Sequence, residues 1–125
     1  MFSDTKSFNQ DLLKWDVSRV TNMVYTFNNV ASFNQDLPKW GMSRVTDMTY
    51  LFCAATSFNR DMSKWDGSKV TGTTSMFRWA TSFNQDLCGA VWVQAWSDFQ
   101  VKEDKMFEDS HGLCTRELRR KLVLR

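Results

Sequence analysis

Large apolar side chains return along this chain at one fixed interval. The string FNQDL begins at Phe8, Phe33 and Phe83, the near-copy FNRDM begins at Phe58, and each start lies 25 residues from the next. The same phase recurs for Trp15, Trp40 and Trp65, for Val20, Val45 and Val70, and for Phe27, Phe52 and Phe77. Residues 8–32 and 33–57 agree at 15 of 25 positions, so one local structure is expected to serve both. Between Phe8 and Leu12 apolar and polar positions alternate, with Phe8 and Leu12 on one side and Asn9 and Asp11 on the other, the pattern of a short strand. Val20, Met23 and Phe27 fall at i, i+3 and i+7, the spacing of one helical face, with Ser18 or Thr21 in front as N-cap. Each unit therefore reads as strand, turn, short helix, turn.

No single unit can bury its own Phe, Trp and Val, so the units are expected to stack, Phe over Phe and Leu12 over Leu37 over Met62. The fold class this predicts is an α/β repeat, a leucine-rich-repeat-like solenoid with one short strand and one short helix per 25-residue turn. It places one domain over residues 1–114. That domain holds a partial turn 1–7, full turns 8–32, 33–57 and 58–82, and a divergent capping turn 83–114; residues 115–125 form a basic tail or capping helix. Met1 and Phe2 fall at the phase of Met76 and Phe77, which suggests a fragment of a longer protein whose uncapped first turn could associate end to end. The alternative is a genuine start with a short N-terminal strand as lid.

Composition narrows the class. With 42% hydrophobic and 14% aromatic residues the 125-residue chain is too apolar to be disordered. The formal net charge of +2 hides an asymmetry, because residues 114–125 alone carry Arg116, Arg119, Arg120, Lys121 and Arg125 against Glu117. The remainder is slightly acidic, so no nucleic-acid partner is expected for the body. No run of about eighteen apolar residues and no signal-peptide pattern is present.

The string FNQDLLKWDVSRVTNMVYTF resembles the repeat of BspA-like leucine-rich-repeat surface proteins, whose units read L-x-x-W-D-V-S-x-V-T-x-M-x-x-M-F. Phe8, Asp11, Leu12, Trp15, Asp16, Val20, Thr21, Met23 and Phe27 all stand at the matching phase, and the likeness extends over residues 1–88. It implies a solenoid on secreted or surface-anchored proteins, extracellular or at the cell surface, used for adhesion and protein binding. Gly41, Gly67 and Thr73 depart from the pattern, and the third turn is expected to pack less tightly. In the fourth unit Cys88 and Cys114 stand at positions resembling the closing turn of some family members. A disulfide between them would close a loop of about 26 residues, contribute about 3 kcal/mol and imply an oxidising compartment. The alternative is that they are merely small apolar residues. Cys53 is expected as a free, half-buried thiol.

Candidate chemistry gathers in three columns. Asp11, Asp36, Asp61 and Asp86 would bring like charges about one strand spacing apart, which is costly unless each carboxylate is hydrogen-bonded or meets a cation. Lys14, Lys39 and Lys64, with Arg19, Arg44 and Lys69, could supply a ladder of alternating charge. A calcium role lacks any D-x-D-x-D-G spacing, and neither metal nor cofactor is expected. Asn9, Asn34, Asn59 and Asn84 could bond from turn to turn. Catalysis finds no motif: His111 is the single histidine, and no G-x-S-x-G, Walker, H-E-x-x-H or C-x-x-C string occurs. The Trp columns invite a carbohydrate reading, but their core phase explains them. Tyr25, Tyr50, Trp79, Trp92 and Trp96 lie off the template, where specificity can reside.

The expected function is a non-catalytic module binding a protein or extracellular-matrix partner. Its candidate face comprises Asn9, Asp11, Lys14, Asn34, Asp36, Lys39, Asn59, Asp61 and Lys64. A purely structural spacer in a longer solenoid, or polyanion binding through the tail RELRRKLVLR, are the alternatives. The tail itself could instead cap the last turn or lie on an anionic membrane.

Overall fold

Residues Met23 to Val30 show how a unit is built. The N–H groups of Thr26, Asn28 and Val30 donate to carbonyls three residues back, those of Met23, Tyr25 and Phe27. The N–H groups between them face the other way: Met23, Tyr25, Phe27 and Asn29 donate to the carbonyls of Asp47, Thr49, Leu51 and Cys53 at 2.9, 3.1, 2.9 and 2.7 Å. The next unit repeats the scheme, with Met48, Tyr50, Phe52 and Ala54 donating to Gly72, Thr74, Met76 and Arg78. Alternate residues thus close a turn inside their own coil or tie it to the following one. The computed structural model describes residues 1–37, 40–85, 87 and 105–111.

Among those residues there is no helix, and strand pairing is limited to isolated parallel bridges, Asn22 with Asp47 and Asp47 with Gly72. The α/β leucine-rich-repeat-like architecture with a strand and a helix per turn is therefore not what this chain adopts. A helix would commit successive N–H groups to its own carbonyls and leave none for the neighbouring coil. Backbone handedness gives a second reason. Tyr25 and Asn29, Tyr50 and Ala54, Ser75 and Trp79, and Lys105 and Asp109 all have φ between 53° and 60°. A left-handed residue costs about 1–2 kcal/mol for a side chain bearing Cβ and cannot sit inside a right-handed helix. The apolar spacing mimics a helical face because Met23 and Phe27 point inward from a run of turns, with Val20 partly buried against the same core. The expected strand at Phe8–Leu12 is replaced too: the N–H of Asn34 finds the Asn9 side chain, 2.9 Å away, rather than a backbone carbonyl.

Stacked coils bring the aromatic residues into two adjoining columns. Phe2, Phe27, Phe52, Phe77 and Phe107 follow one another at 5.4–5.7 Å between ring centroids. Phe8, Phe33, Phe58 and Phe83 form the second column at 5.9–6.0 Å. Within each coil the columns touch, as in Phe52 with Phe58 at 3.9 Å and Phe77 with Phe83 at 4.0 Å. Met, Leu and Val side chains close the interior around them. Trp40 and Trp65 are buried, and each ring N–H donates across to the preceding coil, to the Leu12 carbonyl at 3.1 Å and the Leu37 carbonyl at 2.9 Å. One polar and one apolar requirement of the indole are met at once. Thr73, off the repeat's template, is buried as well.

Phe52 is the centre of this arrangement, with Phe27, Phe58, Phe77 and Trp65 all in ring contact. Phe52→Ala is expected to cost about 3–5 kcal/mol, read as a lowered Tm, whereas Phe2→Ala, at a half-buried position, should cost much less. Gly41 and Gly72 give a sharper pair. A Cβ on Gly72 would lie 2.3 Å from the Asp47 Oδ1, which already accepts the Thr49 N–H, whereas nothing stands within 4 Å of a Cβ on Gly41. Gly72→Ala should therefore destabilise by about 1–3 kcal/mol, and Gly41→Ala should leave the denaturation midpoint nearly unchanged.

Candidate functional site

The Asn, Asp and Lys columns begin where each coil leaves the core. Asparagine comes first, because the coils there are joined through side chains. Asn9, Asn34 and Asn59 each accept, through Oδ1, the backbone N–H of the asparagine one coil on, at 2.9, 3.0 and 2.9 Å. Gln35 adds bonds from Nε2 to the Oδ1 and carbonyl of Asn9, Gln85 bonds the Asn59 Oδ1, and the Arg60 Nε donates to the Asn34 carbonyl. Turn-to-turn bonding by this column therefore runs from backbone to side chain rather than from amide to amide.

The aspartates are occupied locally. Asp11 accepts the N–H of Leu13 at 2.8 Å and Asp61 that of Ser63 at 2.9 Å, each bracing the turn two residues on. Asp16, Asn22, Asp47 and Asp66 do the same for Ser18, Val24, Thr49 and Ser68. Such turns are a standard use of these short polar side chains. Asp36 has proline two residues on, Pro38, which has no N–H to donate. Bonds from the Ser18 hydroxyl and N–H hold the Asp16 carboxyl below its ordinary range. At Asp61 the Ser63 N–H and then its hydroxyl do the same, with Lys64 adding a smaller effect.

The alternating-charge ladder expected for Asp and Lys does not form among the described residues. Their one ion pair joins Arg78 to Glu108, Nε to Oε2 at 2.6 Å. Lys14 and Lys64 are exposed, and Lys39 and Asp86 lie outside the described residues. So do Cys88, Cys114 and residues 115–125, where the disulfide and the basic tail were expected. Cys53 is free and buried rather than half-buried, and burial raises its thiol pKa against the opposing charge of Arg78. The His111 side is exposed, with its backbone N–H donating to the Phe83 carbonyl. No group of three or more His, Cys, Asp or Glu residues among those described could hold a metal ion.

Two pairings involve residues that the sequence sets apart from the core columns. Tyr25 and Tyr50 stack at 4.9 Å with planes 6° apart, on the outer side of the turn run. The Arg78 guanidinium lies 4.0 Å above the Trp79 ring, while the Trp79 ring N–H donates to the Asp109 Oδ2 at 3.1 Å. With Glu108, these four residues clasp the third coil to residues 105–111. The signal was present in the sequence, since Trp79 breaks the template and Glu108–Asp109 stand 30 residues beyond Arg78–Trp79, at the phase of an insertion of five.

Fold and columns together define a tandem-repeat protein whose polar face is largely committed to its own backbone. A family model described as Mycoplasma protein of unknown function, DUF285, matches residues 1–116, and the chain belongs to that family. No curated protein and no solved structure matches it. Among the described residues no helix is long and apolar enough to cross a membrane.

The depressed carboxyls at Asp16 and Asp61 set a pH dependence. A carboxyl whose pKa is lower folded than unfolded contributes stability in full above its unfolded value, and loses it as the pH falls through the folded one. Tm should accordingly drop on acidification below about pH 4. Asp61→Asn keeps an acceptor for the Ser63 N–H but has no charge to lose, so its Tm profile should be flatter on the acid side than that of the parent chain.

Proposed function

We propose that this chain is a non-catalytic repeat module of a secreted or cell-surface protein, kin to the BspA-like surface repeats, that binds a protein or matrix partner. The supporting observation is the contrast between its charged columns. The aspartates Asp11 and Asp61 are engaged in turns, while Lys14 and Lys64 stand exposed at the same phase with no ion pair among the described residues. Lys14 and Lys64 belong to a lysine column that recurs once per 25-residue unit in the sequence, a pattern suited to an acidic stretch of partner. Repetition also favours binding over catalysis, because a reaction centre needs one special place and these columns offer the same groups on every coil. The family membership and the string FNQDLLKWDVSRVTNMVYTF support the surface-protein reading.

Alanine at Lys14, Lys39 and Lys64 together tests it. Since an exposed charge pair is worth about 0.2–1 kcal/mol, loss of three should weaken binding to host cells or matrix roughly tenfold. Tm should remain unchanged, because none of the described lysines packs in the core. Undiminished binding by a folded triple variant would remove the lysine column from recognition and leave the spacer reading in its place.

A further inference from the structure

One turn is built alike in three successive coils. The N–H groups of Val20, Val45 and Val70 donate to the carbonyls three residues back, those of Val17, Met42 and Gly67, at 3.0 Å in each case. In two of the three a carboxylate stands in front of the turn. Asp16 accepts the Ser18 N–H at 3.0 Å, and Asp66 accepts the Ser68 N–H at 3.2 Å. The Ser18 hydroxyl and then its N–H hold the Asp16 carboxyl below its ordinary range, with Arg19 adding a smaller attraction. A hydroxyl, a backbone N–H and a guanidinium therefore all favour one anion at this place.

The middle coil keeps the donors and lacks the anion. Gly41 stands at the phase of Asp16 and Asp66, and Ser43 and Arg44 follow at the phases of Ser18 and Arg19. Both residues are exposed. The Ser43 N–H and hydroxyl have no acceptor among the described residues, and Arg44 has no ion pair there. Asp47, three positions beyond Arg44, is turned to another use, its Oδ1 accepting the Thr49 N–H at 2.9 Å. The fold itself does not ask for glycine at this position. Gly41 does not have a positive φ, and a Cβ built on it would meet nothing within 4 Å. Residues 8–32 and 58–82 on either side are described throughout, so these donors lie within the stack and not at its end.

We propose that Gly41, Ser43 and Arg44 form a carboxylate-binding site whose ligand is an Asp or Glu side chain from an acidic segment of a protein partner, taking the place that Asp16 and Asp66 hold in the neighbouring turns. The chain supplies its own template, because the same turn with the same donors already binds a carboxylate twice. An exposed N–H alone can be satisfied by water. Here it stands beside a hydroxyl and a guanidinium, and bonds to an ionised acceptor are about twice as strong as neutral ones. The planar guanidinium also matches a carboxylate in shape. Charge acts in the same direction, since Gly41 removes the negative group that the coils on either side set beside Arg19 and Lys69. The choice of a protein ligand rests on the protein-binding reading above, whereas the site itself uses neither Lys14 nor Lys64.

Titration of the isotope-labelled 125-residue chain with hexaglutamate, followed through its amide resonances, tests the proposal. Ser18 and Ser68 act as controls within the same molecule. The Ser43 amide proton should move downfield and saturate, while those of Ser18 and Ser68, already bonded, should hold still. Gly41→Asp should move the Ser43 amide in the same direction without any peptide, abolish its response to peptide and leave Tm no lower. Arg44→Gln should weaken the response about two- to fivefold, the worth of an exposed ion pair. The lysine triple variant should keep a saturating Ser43 response, so that failure of the lysine column in partner binding and failure of this site are separate results. The proposal is overturned by a silent Ser43 amide, by a response that Ser18 and Ser68 share equally, or by one that survives Gly41→Asp. A Ser43 response to heparin with none to hexaglutamate would also overturn it, in favour of a sulfated polysaccharide.

Discussion

Everything in this structure depends on how the backbone distributes its N–H groups. Over residues 23–30 and their counterparts, one N–H closes a turn and the next reaches into the neighbouring coil. Neither half of the scheme suffices alone. A run of isolated turns has too few bonds to outweigh about 1–2 kcal/mol of backbone entropy per residue, and coil-to-coil bonds need turns to aim them. Left-handed residues four apart make the aim possible, and the aromatic columns make it worthwhile by burying a Phe pair from every coil.

Much of the interior was legible in the sequence. The 25-residue interval puts Phe33 under Phe58 and Phe58 under Phe83, and their rings lie 6.0 Å apart in each case. Trp40 and Trp65 likewise go to the core phase. What the sequence concealed was the local conformation. Val20, Met23 and Phe27 have the spacing of a helical face, and the signal that would contradict it, a left-handed position, is ordinarily glycine. Here those positions hold Tyr, Asn, Ala, Ser, Trp, Lys and Asp, and the glycines in the described chain have ordinary negative φ. Residue identity gave no sign of the turns.

The polar columns were legible as columns and misread as partners. Like charges stacked coil upon coil suggested neutralisation by lysine, but the nearer competitor was the backbone itself. An N–H two residues away is held by the chain at no cost in reach, whereas a lysine must be ordered to arrive. That preference for the closest donor leaves Asn9, Asn34, Asn59, Asp11 and Asp61 as construction elements, and Lys14 and Lys64 as the uncommitted part of the candidate face among the described residues.

The clasp at Arg78 and Trp79 has an implication for how such proteins can diverge. Across most of the stack an inter-coil bond spans 24 residues, yet Phe77 donates to the Met106 carbonyl and Trp79 to that of Glu108, 29 residues on. Register is thus restored after five additional residues, with ion pair, indole bond and ring stack all resuming together. Length is policed only where coils touch. A repeat of this stack can therefore carry five additional residues and still present its bonding partners to the coil before it in register.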